Sequence, residues 1–240
     1  MFLRKMLREF IDFIRFEKKY GWGVLLGDFL RLNKLYLKDY YLERVLKYAK
    51  QKNVKFTFFF SAKNIRSKKR LKLIRRIARQ GHEIGSHAYN HLLFGKRTKK
   101  EVLEDFQKAD AVFKDLGIAI KGFRPPFLSF NNNVIRAAKK FNYSYISAYC
   151  NKNQLSYAKK VGIKFLPVIQ PYDWEGLFVQ KKDIQQLIKI WRKAKGTLLL
   201  HPWIFSKHLN KLDGIIKPNQ DYTCKSNLIN NKLSISFDVF

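Results

Sequence analysis

The feature that most constrains this chain is the repeated exchange of two hydrophobic periods along its length. Short apolar runs rich in aromatic and β-branched residues read as strands, and residues 54–61 (VKFTFFFS) are the plainest case. Further strands are expected at 21–27, 82–85, 119–123, 143–148, 163–168 and 197–200. Between them, apolar residues recur at spacings of three and four, which predicts amphipathic helices at 36–52, 67–80, 98–116, 132–141 and 182–194. Strands that alternate with helices of about 10–15 residues pair in parallel, because each helix carries the chain back across the sheet. Seven or so such units favour a closed or nearly closed β/α barrel over an open sheet. In that architecture, side chains that do chemistry sit at the C-terminal ends of the strands. No linker or internal repeat interrupts the pattern, so residues 21–240 are expected to form one domain, preceded by a separate helix over residues 1–20.

Composition removes several alternatives. At 46% hydrophobic and 15% aromatic, the chain carries too much core material for a disordered protein. Two cysteines, Cys150 and Cys224, are too few for a disulfide scaffold or a four-thiolate zinc site. No charge-free apolar run reaches the roughly 18 residues that a membrane-spanning helix needs. The outstanding number is charge: 49 Lys+Arg against 18 Asp+Glu, a net +31. Such a chain expects anionic company, whether nucleic acid, an anionic membrane surface or a phosphate-bearing substrate. Nucleic acid is the weakest of these, because the basic residues are spread over several helices rather than gathered around an aromatic platform. In residues 1–20, Phe2, Leu3, Met6, Leu7, Phe10 and Ile11 form one face and Arg4, Lys5, Arg8 and Arg15 lie among the polar positions. That helix either packs on the domain or lies on an anionic membrane surface. Charges break each apolar stretch before the length of a secretory signal, so a cytoplasmic protein is expected, free or peripheral on the inner face of the membrane.

The five histidines are placed unevenly. His82, His87 and His91 fall in GHEIGSHAYNH, His201 follows the strand TLLL, and His208 stands apart. His87 and His91 are four residues apart, and on a helical turn both imidazoles share one face, as two nitrogen ligands of a divalent metal would. The same spacing also suits a solvated or structural pair. Its position after an expected strand end argues for function.

These segments resemble the motifs of the NodB-homology polysaccharide deacetylases, carbohydrate esterase family four. GHEIGSHAYNH is similar to the second motif, GFRPPF (residues 122–127) to the third, Tyr172-Asp173-Trp174 to the fourth and LLLHP (residues 198–202) to the fifth. They occur in family order over residues 24–203, and VKFTFFFSA is similar to the family's second strand. The resemblance implies a distorted (β/α)7 barrel and metal-dependent removal of an N-acetyl group from a sugar in a polysaccharide or lipid-linked glycan. It implies a divalent metal, most readily zinc with cobalt or nickel as alternatives, held by Asp28, His87 and His91. A carboxylate takes a proton from water, the backbone N–H of Phe127 receives the oxyanion, and His201 protonates the leaving amine. Arg124 orients the catalytic carboxylate, Asp173 holds Arg124 or His201, and Trp174 and Leu199 wall the acetyl methyl. Phe94, Phe130 and Trp203 either line a sugar cleft or belong to the core.

The first motif departs from the family's pattern of Thr-Phe-Asp-Asp or Phe-Asp-x-Asp, in which one acid is the base and the other a metal ligand. The matching place, residues 24–29 (VLLGDF), holds Asp28 alone, with Gly27 before it. Asp28 can be ligand or base but not both. Position 88 is Ala where the family has a hydroxyl. A second segment, residues 233–240 (LSISFDVF), alternates like a strand and ends in Phe-Asp-Val, nearer the first-motif pattern. In a closed barrel the last strand neighbours the first, so this segment is either a circularly permuted first-motif strand that delivers Asp238 or a terminal strand with an incidental acid. The missing carboxylate leaves a second expectation open, a degenerate homologue that binds a glycan or glycolipid without cleaving it.

Overall fold

The computed structural model describes residues 39–239. The expected N-terminal helix over residues 1–20, the strand at 21–27 and Asp28 lie outside the described residues. The chain enters through α1 (Asp39–Lys52), which buries Leu42, Val45 and Leu46 and places Asp39 and Lys52 at the ends that suit their charges. β1 (Thr57–Phe60) is buried throughout, as a parallel strand covered on both faces must be. Then come α2 (Lys68–Arg79), β2 (Glu83–Ser86), α3 (Lys99–Asp115), β3 (Gly122–Phe123), α4 (Asn132–Lys140) and β4 (Tyr145–Ala148). Next are α5 (Lys152–Val161), β5 (Lys164–Pro167), α6 (Ile184–Trp191) and β6 (Thr197–Leu200). Three short helices follow, α7 (Pro202–Lys207), α8 (Leu209–Leu212) and α9 (Cys224–Asn230), before β7 (Ser234–Val239). Capping boxes start α3 (Thr98 with Glu101), α5 (Asn151 with Gln154) and α6 (Asp183 with Gln186), which fixes where each helix begins.

All sheet pairings are parallel, in the order β5-β4-β3-β2-β1-β7-β6. The two edges nearly meet: Val168 bridges to Thr197, and the Ile169 N–H donates to the Thr197 carbonyl at 2.9 Å. The result is the distorted, nearly closed (β/α)7 barrel expected of the NodB type. Phe58 and Phe60 face the helices, while Phe59 joins Tyr145, Leu166 and Cys224 in a separate buried cluster. The barrel is narrow enough that side chains there need missing neighbours. A Cβ on Gly85 would strike the Phe59 ring, and one on Gly122 the Tyr145 ring.

The chain's last strand does not lie at a sheet edge. β7 sits between β1 and β6, with Phe59 opposite Asp238 and Leu200 opposite Phe237. The C-terminal segment thus fills an inner place beside the first described strand, as a permuted arrangement requires.

Candidate active site

With the strands parallel, their C-terminal ends converge at one end of the barrel, and six polar groups meet there. His87 follows β2, Arg124 follows β3, Ser147 lies in β4, His201 follows β6 and Asp238 lies in β7, while Asp173 comes from the segment between β5 and α6. All are buried. The sequence brought four of these forward as site residues and offered Asp238 as an alternative acid; Ser147 was missed.

Asp238 is gripped first. Arg124 Nη1 donates to its Oδ1 at 3.3 Å, and Arg124 Nη2 donates to Ser147 Oγ at 2.7 Å. The guanidinium also lies over the Phe59 ring, 4.5 Å from its centroid. A buried arginine fixed at three points holds its carboxylate in one orientation.

His87 Nδ1 donates to the Arg124 carbonyl at 2.8 Å, since a carbonyl can only accept. That bond sets the tautomer and turns Nε2 toward Asp238 Oδ2, 4.0 Å away and beyond hydrogen-bond length. Burial drives the His87 pKa down to about 3, and burial followed by the charge of His87 drives His91 well below its ordinary value. Both imidazoles are therefore neutral, the form in which histidine binds metals. Their ring centroids are 5.1 Å apart.

The histidine pair does not sit on the expected helical turn. Residues 87–93 form an irregular loop, because Ala88 takes a left-handed φ of 66° that turns the chain out of β2. Asp105 of α3 ties that loop down: its carboxylate accepts from the Tyr89 N–H (2.7 Å), the Asn90 N–H (3.0 Å) and Asn90 Nδ2 (2.9 Å). Asp105 is thus a positioning residue, and it supports a loop that lacks a hydroxyl at position 88. Its signal in the sequence was an acid on a helix face otherwise lined by Val102, Phe106 and Ala109.

Asp173 holds His201 rather than Arg124. Its Oδ1 accepts from His201 Nδ1 at 2.7 Å and from the Trp174 N–H at 2.7 Å, and its Oδ2 accepts from the His201 N–H at 2.5 Å. Burial alone would lower the His201 pKa, but the Asp173 charge and hydrogen bond override it, and the net shift is upward. The same barrel end thus keeps two imidazoles neutral and favours the charged form of a third. Opposed shifts of this kind separate acid from base roles.

The remaining expected residues lie around this group. Phe127 has a left-handed φ of 56°, and its ring lies 4.6 Å from that of His91. Trp174 packs with Trp203 and Ile204, and Leu199 is buried in β6. Phe94 and Phe130 both belong to the main core cluster, and Phe130 also lines a surface cavity.

Two imidazoles with free choice of a third donor suit a divalent ion. Among the described residues, no three His, Cys, Asp or Glu side chains close around one point. The described part of the chain therefore supplies two nitrogen donors, and Asp28, the third donor expected from the sequence, lies outside it.

Residues 36–146 match the polysaccharide deacetylase family. An uncharacterized protein, YlxY, of Bacillus subtilis is 36% identical over 99 residues, covering 41% of this chain and 30% of that protein. A peptidoglycan-N-acetylglucosamine deacetylase of Bacillus cereus is 33% identical over 104 residues, covering 43% of this chain and 37% of the relative. The chain thus matches about a third of the length of these relatives. A solved mutant of a family-four carbohydrate esterase pseudoenzyme from Bacillus anthracis shares the fold, with a TM-score of 0.55 and 19% identity over 82% of this chain and 60% of that one.

Proposed function

From a polysaccharide deacetylase fold of the NodB type, with that family's histidine, arginine and aspartate motifs at its strand ends, we propose that the chain hydrolyses the N-acetyl group of a sugar. The sugar is part of a polysaccharide or of a lipid-linked glycan. The observation that carries the reading is Asp238, a buried carboxylate held by Arg124 at 3.3 Å beside the histidine pair, where the chemistry needs a base.

Asp238 takes the proton of the attacking water, and Arg124 keeps the carboxylate aimed while it does so. The water oxygen bonds to the acetamide carbon, and the Phe127 N–H is placed to receive the charge that develops on the carbonyl oxygen. His201, kept protonated by Asp173, gives its proton to the sugar nitrogen as the C–N bond breaks, leaving acetate and a free amine. Trp174 and Leu199 enclose the acetyl methyl. His87 and His91, with Asp28 as third donor, are the residues that would hold a divalent ion, most readily zinc, with cobalt or nickel suiting the same donors. Bound there, such an ion supplies Lewis acidity toward the carbonyl and the water. The net +31 charge supports an acceptor on a lipid phosphate at an anionic membrane surface, approached from the cytoplasmic side.

A second reading rests on Val239, which stands directly after Asp238 where a Phe-Asp-Asp motif carries its second acid. If Asp28 does not complete the donor set, the site binds a glycan without cleaving it. The two readings separate in one assay: acetate release from N-acetylglucosamine oligomers and lipid-linked N-acetyl sugars by chelator-stripped protein, with and without added Zn²⁺ or Co²⁺. Release that needs both metal and His87 supports the hydrolase. Sugar binding without release, at every metal tested, supports the binding protein.

A further inference from the structure

The net +31 charge is not spread evenly over the helices. Helix α2 (KKRLKLIRRIAR) is seven-twelfths Lys and Arg and holds no acid, whereas α3 (KKEVLEDFQKADAVFKD) has five acids against four lysines. On α2, Lys68, Lys72, Arg75 and Arg79 are exposed, and their spacings of four, three and four set them in one stripe, while Leu73, Ile74 and Ile77 are buried behind. Helix α1 lies beside α2 and runs the same way. Asp39 at its start pairs with Arg70 at 3.1 Å and Lys69 at 3.8 Å, and Glu43, one turn on, pairs with Arg76.

Asp39 and Glu43 are the acids of α1, so the helix pair has no acid left over. Exposed on α1 are Lys47 and Lys50, with Tyr40, 59% exposed, on the same side near its start. Among the described residues, none of Lys47, Lys50, Lys68, Lys72, Arg75 and Arg79 has an acidic partner. Six solvated cations on two helices lying side by side form a broad face rather than a groove. A cluster of four to eight Lys and Arg on an amphipathic helix is what anionic lipid headgroups attract. The long side chains lay their apolar stems along the headgroup boundary while their charged ends reach phosphate, and a tyrosine ring suits the same boundary. Nucleic acid fits this face less well. Tyr40 and Ile229 are the exposed large hydrophobics among the described residues, and Ile229 belongs to α9, so the face holds no aromatic platform for bases.

We propose that the outer face of α1 and α2 docks the protein on an anionic lipid bilayer. Both helices run along the barrel wall, so docking lays the barrel on its side and brings the end that carries the histidines beside the headgroups. The inference rests on the reading above only for the acceptor, a glycan carried by a lipid phosphate; the docking itself does not depend on hydrolysis. The test is co-flotation of the full chain with vesicles of phosphatidylcholine alone and of phosphatidylcholine and phosphatidylglycerol in equal parts. Two variants lose the same charge. One carries Lys68→Gln, Lys72→Gln, Arg75→Gln and Arg79→Gln, and the other carries Lys139→Gln, Lys140→Gln, Lys159→Gln and Lys160→Gln at exposed positions of α4 and α5. The fold of each is checked by thermal unfolding, and acetate release from a soluble N-acetylglucosamine tetramer is followed in parallel. The expected result is binding to the anionic vesicles alone, at least about tenfold weaker in the α2 variant and near wild type in the α4–α5 variant, with release from the soluble tetramer unchanged in both. Equal losses in the two variants, equal binding to neutral vesicles, or no binding to anionic ones overturns the docking face and leaves hydrolysis untouched. Duplex DNA that displaces the protein from vesicles at matched phosphate concentration gives the face to nucleic acid and overturns it as well. Docking as expected with no acetate released from any sugar supports the face and overturns the hydrolase reading alone.

Discussion

The two ends of the barrel carry buried polar networks of similar size and opposite character. At the N-terminal end, the first residues of the strands bond to one another. Glu83 accepts from Thr57 Oγ1 (2.6 Å), Tyr145 Oη (2.7 Å) and the Lys225 N–H (2.9 Å), and Thr57 Oγ1 accepts from the Cys224 N–H (2.8 Å). Thr197 and Ser234, opposite each other in β6 and β7, share a hydrogen bond of 2.9 Å, and Asn227 of α9 donates to the same Ser234. Helix α9 thus plugs this end, and its polar groups are consumed by one another. At the C-terminal end the polar groups are also buried, but His87 Nε2 and Asp238 Oδ2 lie 4.0 Å apart, beyond hydrogen-bond length. The first network closes on itself and holds the fold together; in the second, an arginine and a loop fix the carboxylate and the imidazole at a set separation.

Removing the His201 imidazole (His201→Ala) should slow acetate release by the folded fraction about 10²–10⁴-fold, the usual worth of a proton donor. Asp105→Ala frees the histidine loop and should lower release about 10–100-fold, the range for groups that support a ligand from behind. Metal affinity of stripped protein, measured by titration, should fall in parallel. At the closed end the pattern reverses. Glu83→Ala leaves the Thr57 and Tyr145 hydroxyls and the Lys225 N–H without their acceptor and should cost about 2–3 kcal/mol in denaturant unfolding, with turnover of the folded fraction unchanged. Loss of turnover in Glu83→Ala beyond the unfolded fraction would erase the distinction between the ends.

The smallest effect expected is a shift in pH profile. The pKa of His201 is raised in the folded protein, so its proton is bound below that value and lost as pH rises through it. Activity should therefore fall on the alkaline limb as His201 deprotonates. Any stability drawn from the His201–Asp173 pair is present at low pH and lost over the same window. Asp173→Asn removes the carboxylate that raises the pKa and should move that limb to lower pH. An alkaline limb unchanged in Asp173→Asn would assign it to another group.

Much of this was legible in the residues. Periodicity placed β6 at Thr197–Leu200 as observed, and β1, α2, α3 and α4 within a few residues, because each buries a repeating apolar face. Helix α5 escaped because only Ala158 of its ten residues is buried, so no apolar stripe marks it. The short α9 is set by the Thr223 cap and by contact with the barrel floor rather than by a periodic face. Within the site, His87, His91, Arg124, Asp173 and His201 announced themselves by motif. The partner of Asp173 was open between Arg124 and His201 until the fold paired it, and Ser147 in YISA looks like any small strand residue. Asp238 is the instructive case. The pattern SISFDV showed a strand with an acid, but the place of that strand between β1 and β6 depends on which edges pair across most of the chain, and packing decides that.

The central claim is that the reacting carboxylate comes from the C-terminal strand. Its most direct test is acetate release from an N-acetylglucosamine tetramer by metal-loaded Asp238→Asn, run beside Asp28→Asn and wild type with metal content measured in each. The account predicts that Asp238→Asn keeps its metal and its fold but loses at least about a hundredfold in rate, the scale of a missing general base. Wild-type rates in Asp238→Asn, with release abolished in a metal-loaded Asp28→Asn, would place the base on the N-terminal segment and contradict it.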